Sequence, residues 1–238
     1  MEADIEKCFD KISHDFLKEA TPICDKKILE EILASGISVG GQISTSTEGT
    51  PQGGVISPLL CNIALNGLED EIRNCFARSR DKIDKITGER SKVNVIRYAD
   101  DLVITGSSKS ILGTAKIKLE EFLNKRGLKL KESKTRIINI TQGFEFLGYH
   151  IQRYDKDLGR NRRNRNIETT LIIKPTMTAE KNVKRKIRDE IKPNRSIKSI
   201  IRALNPILRG WTEYYRIDVH SKVSLKRVND YVNERLGS

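Results

Sequence analysis

The sequence predicts an α+β protein in which a small antiparallel sheet carries helices on one face and a helical segment follows. Three observations predict this. Strand-like and helix-like runs interleave over the first 155 residues without the strict βαβ alternation of a doubly wound sheet. The run "VNVIRYADDLVITG", residues 93 to 106, sets two aspartates between two β-forming stretches, as a hairpin would. From about residue 178 the apolar spacing is purely helical, broken at Pro193 and Pro206.

Taken in order, a short strand carrying Asp4 opens the chain, and "DKKILEEILASG" follows as a helix with Ile28, Leu29, Ile32 and Leu33 on one face and Gly36 as its stop. Gln42 to Thr47 alternates weakly, as a strand, and runs into the loop "EGTPQGGVISP". Ser57 and Pro58 suit the N-cap and first turn of one helix over "LLCNIALNGLEDEIRNCF". A polar loop, 78–92, precedes the hairpin, whose tip holds Asp100 and Asp101. The next helix repeats apolar residues at Leu112, Ala115, Leu119, Phe122 and Leu123 and stops at Gly127. Short strands "LKL" and "TRIINI" and a strand-like "GFEFLGYHI" complete the sheet region, and "DKDLGRNRRNRN" reads as a linker or exposed loop.

A 238-residue chain with 37% hydrophobic residues can bury a core. It has no apolar run long enough for a bilayer and no signal-peptide pattern, so a soluble intracellular protein is expected. Cys8, Cys24, Cys61 and Cys75 form no C-x-x-C pair, which suggests reduced, structural thiols rather than zinc or disulfides. The formal charge of +12 is unevenly placed. Residues 1–150 hold 22 Lys and Arg against 22 Asp and Glu, whereas residues 151–238 hold 22 against 10. All the excess is C-terminal, as in a polyanion-binding module joined to a differently tasked one.

Two neighbouring carboxylates repel, and a solvated turn would tolerate them as readily as a working site. A divalent cation would give them a purpose, since Mg²⁺ takes a few carboxylates, waters and phosphates. Two-metal phosphoryl or nucleotidyl transfer needs a third carboxylate from a neighbouring strand, and Asp4 is placed to supply it.

The blocks "ADIEKCFDKISHDFL", "GTPQGGVISPLLCNIAL", "IRYADDLVITG", "LKESKTRIINI" and "FEFLGYHI", in this order, resemble the palm motifs of reverse transcriptases in the form found in group II intron-encoded proteins. "ILRGWTEYYR", residues 207–216, resembles the core of the maturase, or thumb, domain that follows in those proteins. The resemblance implies a polymerase palm over 1–155 and a helical maturase/thumb domain over 156–238. It implies RNA-directed DNA polymerisation with two Mg²⁺ ions, coupled to intron RNA binding and splicing assistance; the alternative is a non-catalytic RNA-binding maturase whose palm is scaffold. Expected partners are intron RNA template, DNA primer and deoxynucleoside triphosphates, with a ribonucleoprotein as a further expectation, in bacterial cytoplasm or an organellar matrix.

Residue by residue, the resemblance assigns Asp4, Asp100 and Asp101 as catalytic carboxylates, with the Ile5 carbonyl joining them as a metal ligand. Phe9 matches the residue that screens the sugar 2′ position, and is equally readable as core. Gln52 and Gly53 match nucleotide contacts, although Gly53 and Gly54 also suit a plain turn. Lys134 matches a lysine that approaches the triphosphate and protonates pyrophosphate, and is equally a solvated lysine. Phe146, Leu147, Gly148 and Tyr149 resemble the primer grip, with Gly148 permitting close approach of nucleic acid. Arg160, Arg162, Arg163 and Arg165, then Lys184, Arg185, Lys186 and Arg188, are the expected RNA contacts. Trp211, Tyr214 and Tyr215 suit base stacking, though packing is favoured for Trp211, and the three histidines read as structural or surface residues. Such proteins carry a fingers region before the first motif, which here begins at residue 4, so a fragment or a shortened reading frame is expected, and one lacking the DNA-binding and endonuclease extensions.

Overall fold

The computed structural model describes residues 1–22, 25–34, 37–39, 42–44, 48–50, 54–77, 92–155, 169–217 and 221–237. They form two compact units, Met1–Ile137 and Ile138–Ser238.

The first unit is built on strand β1 (Glu2–Asp4), which pairs antiparallel with β5 (Asp101–Thr105), itself paired with β4 (Asn94–Tyr98). On its other edge β1 makes bridges at Glu2–Arg136 and Ile5–Leu130. The expected strands over 128–130 and 135–140 are thus single bridges, because a 3₁₀ turn at Glu132–Lys134 interrupts the pairing between them. Helices α1 (Cys8–Lys11), α2 (His14–Ala20) and α3 (Lys26–Ala34) precede a small hairpin, β2 (Ile37–Val39) and β3 (Gln42–Ser44).

The single helix expected after Ser57 is two, α4 (Ser57–Leu65) and α5 (Leu68–Ala77). Asn66 leaves helical geometry and Gly67 takes φ 82°, a turn that side chains disfavour. Pro58 sits in the first turn as expected, while the N-cap is Ile56 rather than Ser57. Helix α6 (Lys109–Asn124) begins at Ser108, whose Oγ accepts from Ile111 N at 3.3 Å, and stops at Gly127, φ 73°. Its buried face holds every residue its spacing predicts, Leu112, Ala115, Leu119, Phe122 and Leu123. With Leu17, Leu60, Leu65, Leu102 and Ile104 they form one core beneath the sheet.

The second unit has its own sheet, β6 (Phe144–Phe146), β7 (Tyr149–Asp155) and β8 (Thr169–Pro175), in that order. Three helices follow: α7 (Met177–Glu190), α8 (Ile197–Tyr215) and α9 (Ser221–Gly237). The helical tail is as the sequence predicts, with one added strand, β8, ahead of it. Pro193 lies between α7 and α8, but Pro206 is inside α8 and does not break it. The lost N–H and ring clash cost about 3 kcal/mol, and burial of Ile200, Leu204 and Tyr215 along α8 offsets this. A second core of Val183, Ile187, Ile200, Leu204, Val228 and Val232 joins the three helices.

Candidate active site

Register brings the acidic residues together. Asp4 on β1 stands directly opposite Asp101 on β5, and Tyr98 on β4 opposes Asp101 from the other side. Directly opposed residues project to the same face, so the two carboxylates lie on one face while Ala3 and Leu102 are buried on the other. The hairpin tip differs from expectation by one residue: Ala99 and Asp100 make the turn, and Asp101 is the first residue of β5. Two adjacent aspartates therefore occupy different backbone settings. Ala99 takes φ 54°, unusual without glycine. Arg97 supports it, donating from Nη1 to the Ala99 carbonyl at 3.3 Å and to Asn62 Oδ1 at 3.2 Å.

The opposite edge of β1 delivers the lysine. Lys131 N donates to the Asp4 carbonyl at 2.8 Å, and Arg136 N to the Glu2 carbonyl at 3.0 Å, which anchors the 3₁₀ turn between them. Lys134 Nζ consequently lies 2.7 Å from Asp4 Oδ2. Its hydrogen bond to Asp4, then the charges of Asp4, Asp101 and Asp100, raise the Lys134 pKa. Burial, then Asp100 and Asp4, push the Asp101 carboxyl above its usual range, with Lys134 opposing. That coupling is what converging like charges require.

A cavity of about 690 Å³ opens over this edge, lined among others by Asp4, Ile5, Phe9, Gly54, Asp100 and Lys134. Phe9 lines the cavity and also packs on the core. Behind it the Cys8 and Cys61 sulfurs lie 3.4 Å apart, both buried, as structural thiols should. Gln52 and Gly53 lie outside the described residues, but the loop leading to them is tied down. Thr50 N donates to the Phe9 carbonyl at 2.6 Å, Gly49 N to the Ile12 carbonyl at 2.7 Å, and His14 Nε2 is 2.7 Å from the Gly49 carbonyl. Sequence reasoning missed Arg97 as a support and read His14 as structural or surface without naming its partner; only the long-range pairing reveals both contacts.

Among the described residues no three His, Cys, Asp or Glu side chains are gathered closely enough to hold a metal ion as they stand. The donor set nonetheless fits Mg²⁺, being carboxylate oxygens. The bridge beside Ile5 uses the Asp4 carbonyl and the Glu6 N–H, and so leaves the Ile5 carbonyl out of it.

In the second unit, Leu147 (φ 49°) and Gly148 (φ 78°) form a two-residue turn between β6 and β7. Gly148 has a neighbour within its own unit that the sequence does not indicate. A Cβ there would lie 2.5 Å from Tyr215 Oη, so the glycine admits a tyrosine of its own chain. Tyr214 Oη donates to the Leu147 carbonyl at 2.8 Å, Tyr149 Oη donates to the Tyr214 carbonyl, and the Tyr149 and Tyr214 rings stack. Trp211 is packed against the helical core, as favoured. Of the basic cluster, Arg160, Arg162, Arg163 and Arg165 lie outside the described residues. Lys184, Arg185, Lys186 and Arg188 are on α7, the last three exposed.

Residues 1–151 match the family model "Reverse transcriptase (RNA-dependent DNA polymerase)", and residues 180–238 match "Group II intron, maturase-specific domain". The chain is 34% identical to the Putative COX1/OXI3 intron 1 protein of Saccharomyces cerevisiae, over 63% of this chain and 24% of that protein. It is 29% identical to the Group II intron-encoded protein LtrA of Lactococcus lactis subsp. cremoris, over 64% and 34%. To Protein YkfC of Escherichia coli it is 31% identical, over 68% and 49%. The matched region thus spans about a quarter to a half of these relatives.

Proposed function

We propose, on the premise that this chain belongs to the reverse transcriptase family in its group II intron-encoded, maturase-bearing form, that it extends a DNA primer on an RNA template and binds intron RNA to assist splicing. The observation that carries the polymerase reading is the pairing of Asp4 with Asp101 beside the Asp100 turn. A pure scaffold has no physical need for three converging charges.

Asp4, Asp100 and Asp101, with the Ile5 carbonyl, would hold two Mg²⁺ ions. When bound, these ions neutralise phosphate charge and lower the pKa of the primer 3′-hydroxyl. The remaining work belongs to this chain's own side chains. Lys134, kept protonated by the surrounding carboxylates, leaves Asp4 for the triphosphate and gives a proton to the departing pyrophosphate. The ring of Phe9 excludes a sugar 2′-hydroxyl and so favours deoxynucleotides. Gln52 and Gly53 hold the nucleotide, and the Phe146–Tyr149 turn holds the primer end.

Residues 1–155 act as the palm and 156–238 as the maturase/thumb, a functional division distinct from the compact units, since the β6–β7 turn is locked to α8. Arg160 to Arg165 and the α7 cations neutralise intron RNA phosphates, giving salt-sensitive affinity.

Primer extension on an RNA template with Mg²⁺ tests the proposal. Asp100→Asn should lower extension at least about a hundredfold and leave RNA affinity near wild type. Unchanged extension by Asp100→Asn, or no extension by the wild-type chain, would remove the polymerase assignment, and splicing assistance that in that case still fails on neutralising Arg160 to Arg165 would leave the maturase role alone.

A further inference from the structure

We propose that the cleft between α7 and α8 is a pocket for a single unpaired nucleobase of RNA. The inference rests on the RNA-binding reading of residues 151–238 and specifies how part of that surface works.

The cleft has a volume of about 470 Å³, within the range of small-ligand sites. Asn182 and Lys186 line it from α7, and Gly210, Trp211 and Tyr214 from α8. Gly210 creates the room: a Cβ there would meet nothing within 4 Å. A mid-helix glycine is unfavourable for α8, and at this exposed position it leaves the mouth of the cleft open. The walls are aromatic, which suits a planar ring, because every base presents a π-face to stack upon.

Trp211 lines the cleft while its Nε1 is out of reach of solvent, so a base would meet the indole ring and not its N–H. The rim supplies the rest of a nucleotide's needs. Asn182 is exposed and carries an amide able to pair with a base edge. Lys186 provides a cation for phosphate, and the exposed Lys181, Arg185 and Arg188 on the same helix extend the cationic surface along which the strand would run.

The chain's single tryptophan makes the pocket its own reporter. In the full chain, a short single-stranded oligoadenylate should quench tryptophan fluorescence saturably, over the same concentrations at which anisotropy of the labelled strand registers binding. An abasic strand of equal length should bind about tenfold more weakly and leave the fluorescence unchanged. Gly210→Leu fills the cleft with a residue that favours the helix. It should abolish the quench and the tenfold base-dependent gain while keeping abasic affinity and the circular dichroism of wild type. Asn182→Ala, at an exposed position, should weaken oligoadenylate binding severalfold and abasic binding not at all, which keeps the test available if Gly210→Leu folds poorly. Equal quenching by the abasic strand or by polyglutamate, or a quench that survives Gly210→Leu, overturns the pocket. Tight binding of both strands without quenching overturns the pocket alone, whereas no RNA binding by anisotropy removes the RNA-binding reading beneath it.

Discussion

Arg97 and Glu69 form an ion pair beneath the acidic hairpin, Nε to Oε1 at 3.0 Å, with side chains only 15% and 26% exposed. The same guanidinium reaches the Ala99 carbonyl that precedes Asp100. Replacing it by Met strands a largely buried carboxylate and removes the turn's donor, and should cost about 2–3 kcal/mol in urea denaturation. Arg97→Lys keeps the charge but not the fork, so it should regain most of the stability and little of the primer-extension rate.

Asp101 makes stability depend on pH. Its carboxyl is held above the ordinary value of 3.8 by burial first, then by Asp100 and Asp4. A raised folded pKa means the proton is bound more tightly in the folded chain. The stabilisation is full below 3.8 and is lost as pH rises through the folded value. Without divalent cations, Asp101→Asn should therefore be more stable than wild type at neutral pH, by up to about 1 kcal/mol after allowance for solvent screening. The gain should vanish in acid below 3.8, as denaturant titrations at both pH values would register.

Gly49 carries φ +82°, and a Cβ there would lie 2.5 Å from the Asp10 carbonyl carbon and oxygen. Gly49→Ala must push the loop off α1. A loss of about 1–3 kcal/mol is expected from the strain. Because Gln52, the proposed nucleotide contact, follows three residues later in the sequence, KM for the deoxynucleotide should rise more than kcat falls in steady-state extension.

Gly148→Ala should be destabilising for two separable reasons, its φ of +78° and the 2.5 Å approach to Tyr215 Oη. In a Tyr215→Phe background the second reason disappears. The double-mutant cycle should then show a coupling of about 1 kcal/mol or more, measured by thermal or urea denaturation.

How much of this was legible depended on the range of the contacts involved. The 93–106 hairpin and the face of α6 follow from local periodicity; α6 stands as the sequence predicts, and the hairpin departs from it only at the tip, where Asp101 already belongs to β5. The break between α4 and α5 has a local signal in the Asn66-Gly67 pair, outweighed by apolar spacing that continues on both sides, whereas the packing that carries α8 through Pro206 has none. β8, rich in β-branched residues, becomes recognisable only with β7 beside it. At the site, family order named Asp4, Asp100, Asp101 and Lys134, but no local pattern specifies that Asp101 rather than Asp100 opposes Asp4, or that Lys134 rests on Asp4. Both outcomes come from pairings across most of the unit. The approach of Tyr215 to Gly148 is equally unreadable from local pattern, since the two lie far apart along the sequence.

The strand that carries Asp4 closes a very long loop: Met1 N donates to the Ile104 carbonyl at 2.6 Å, across 103 residues. Closing such a loop costs about 4 kcal/mol of chain entropy, while the β4–β5 hairpin and the helices form from neighbouring residues in microseconds. Docking of β1 is accordingly a late step of folding. A full-length chain refolding from denaturant would own its hairpin and its cationic helices before it owned a complete acidic centre, so that, on the proposed function, RNA affinity would return before primer extension.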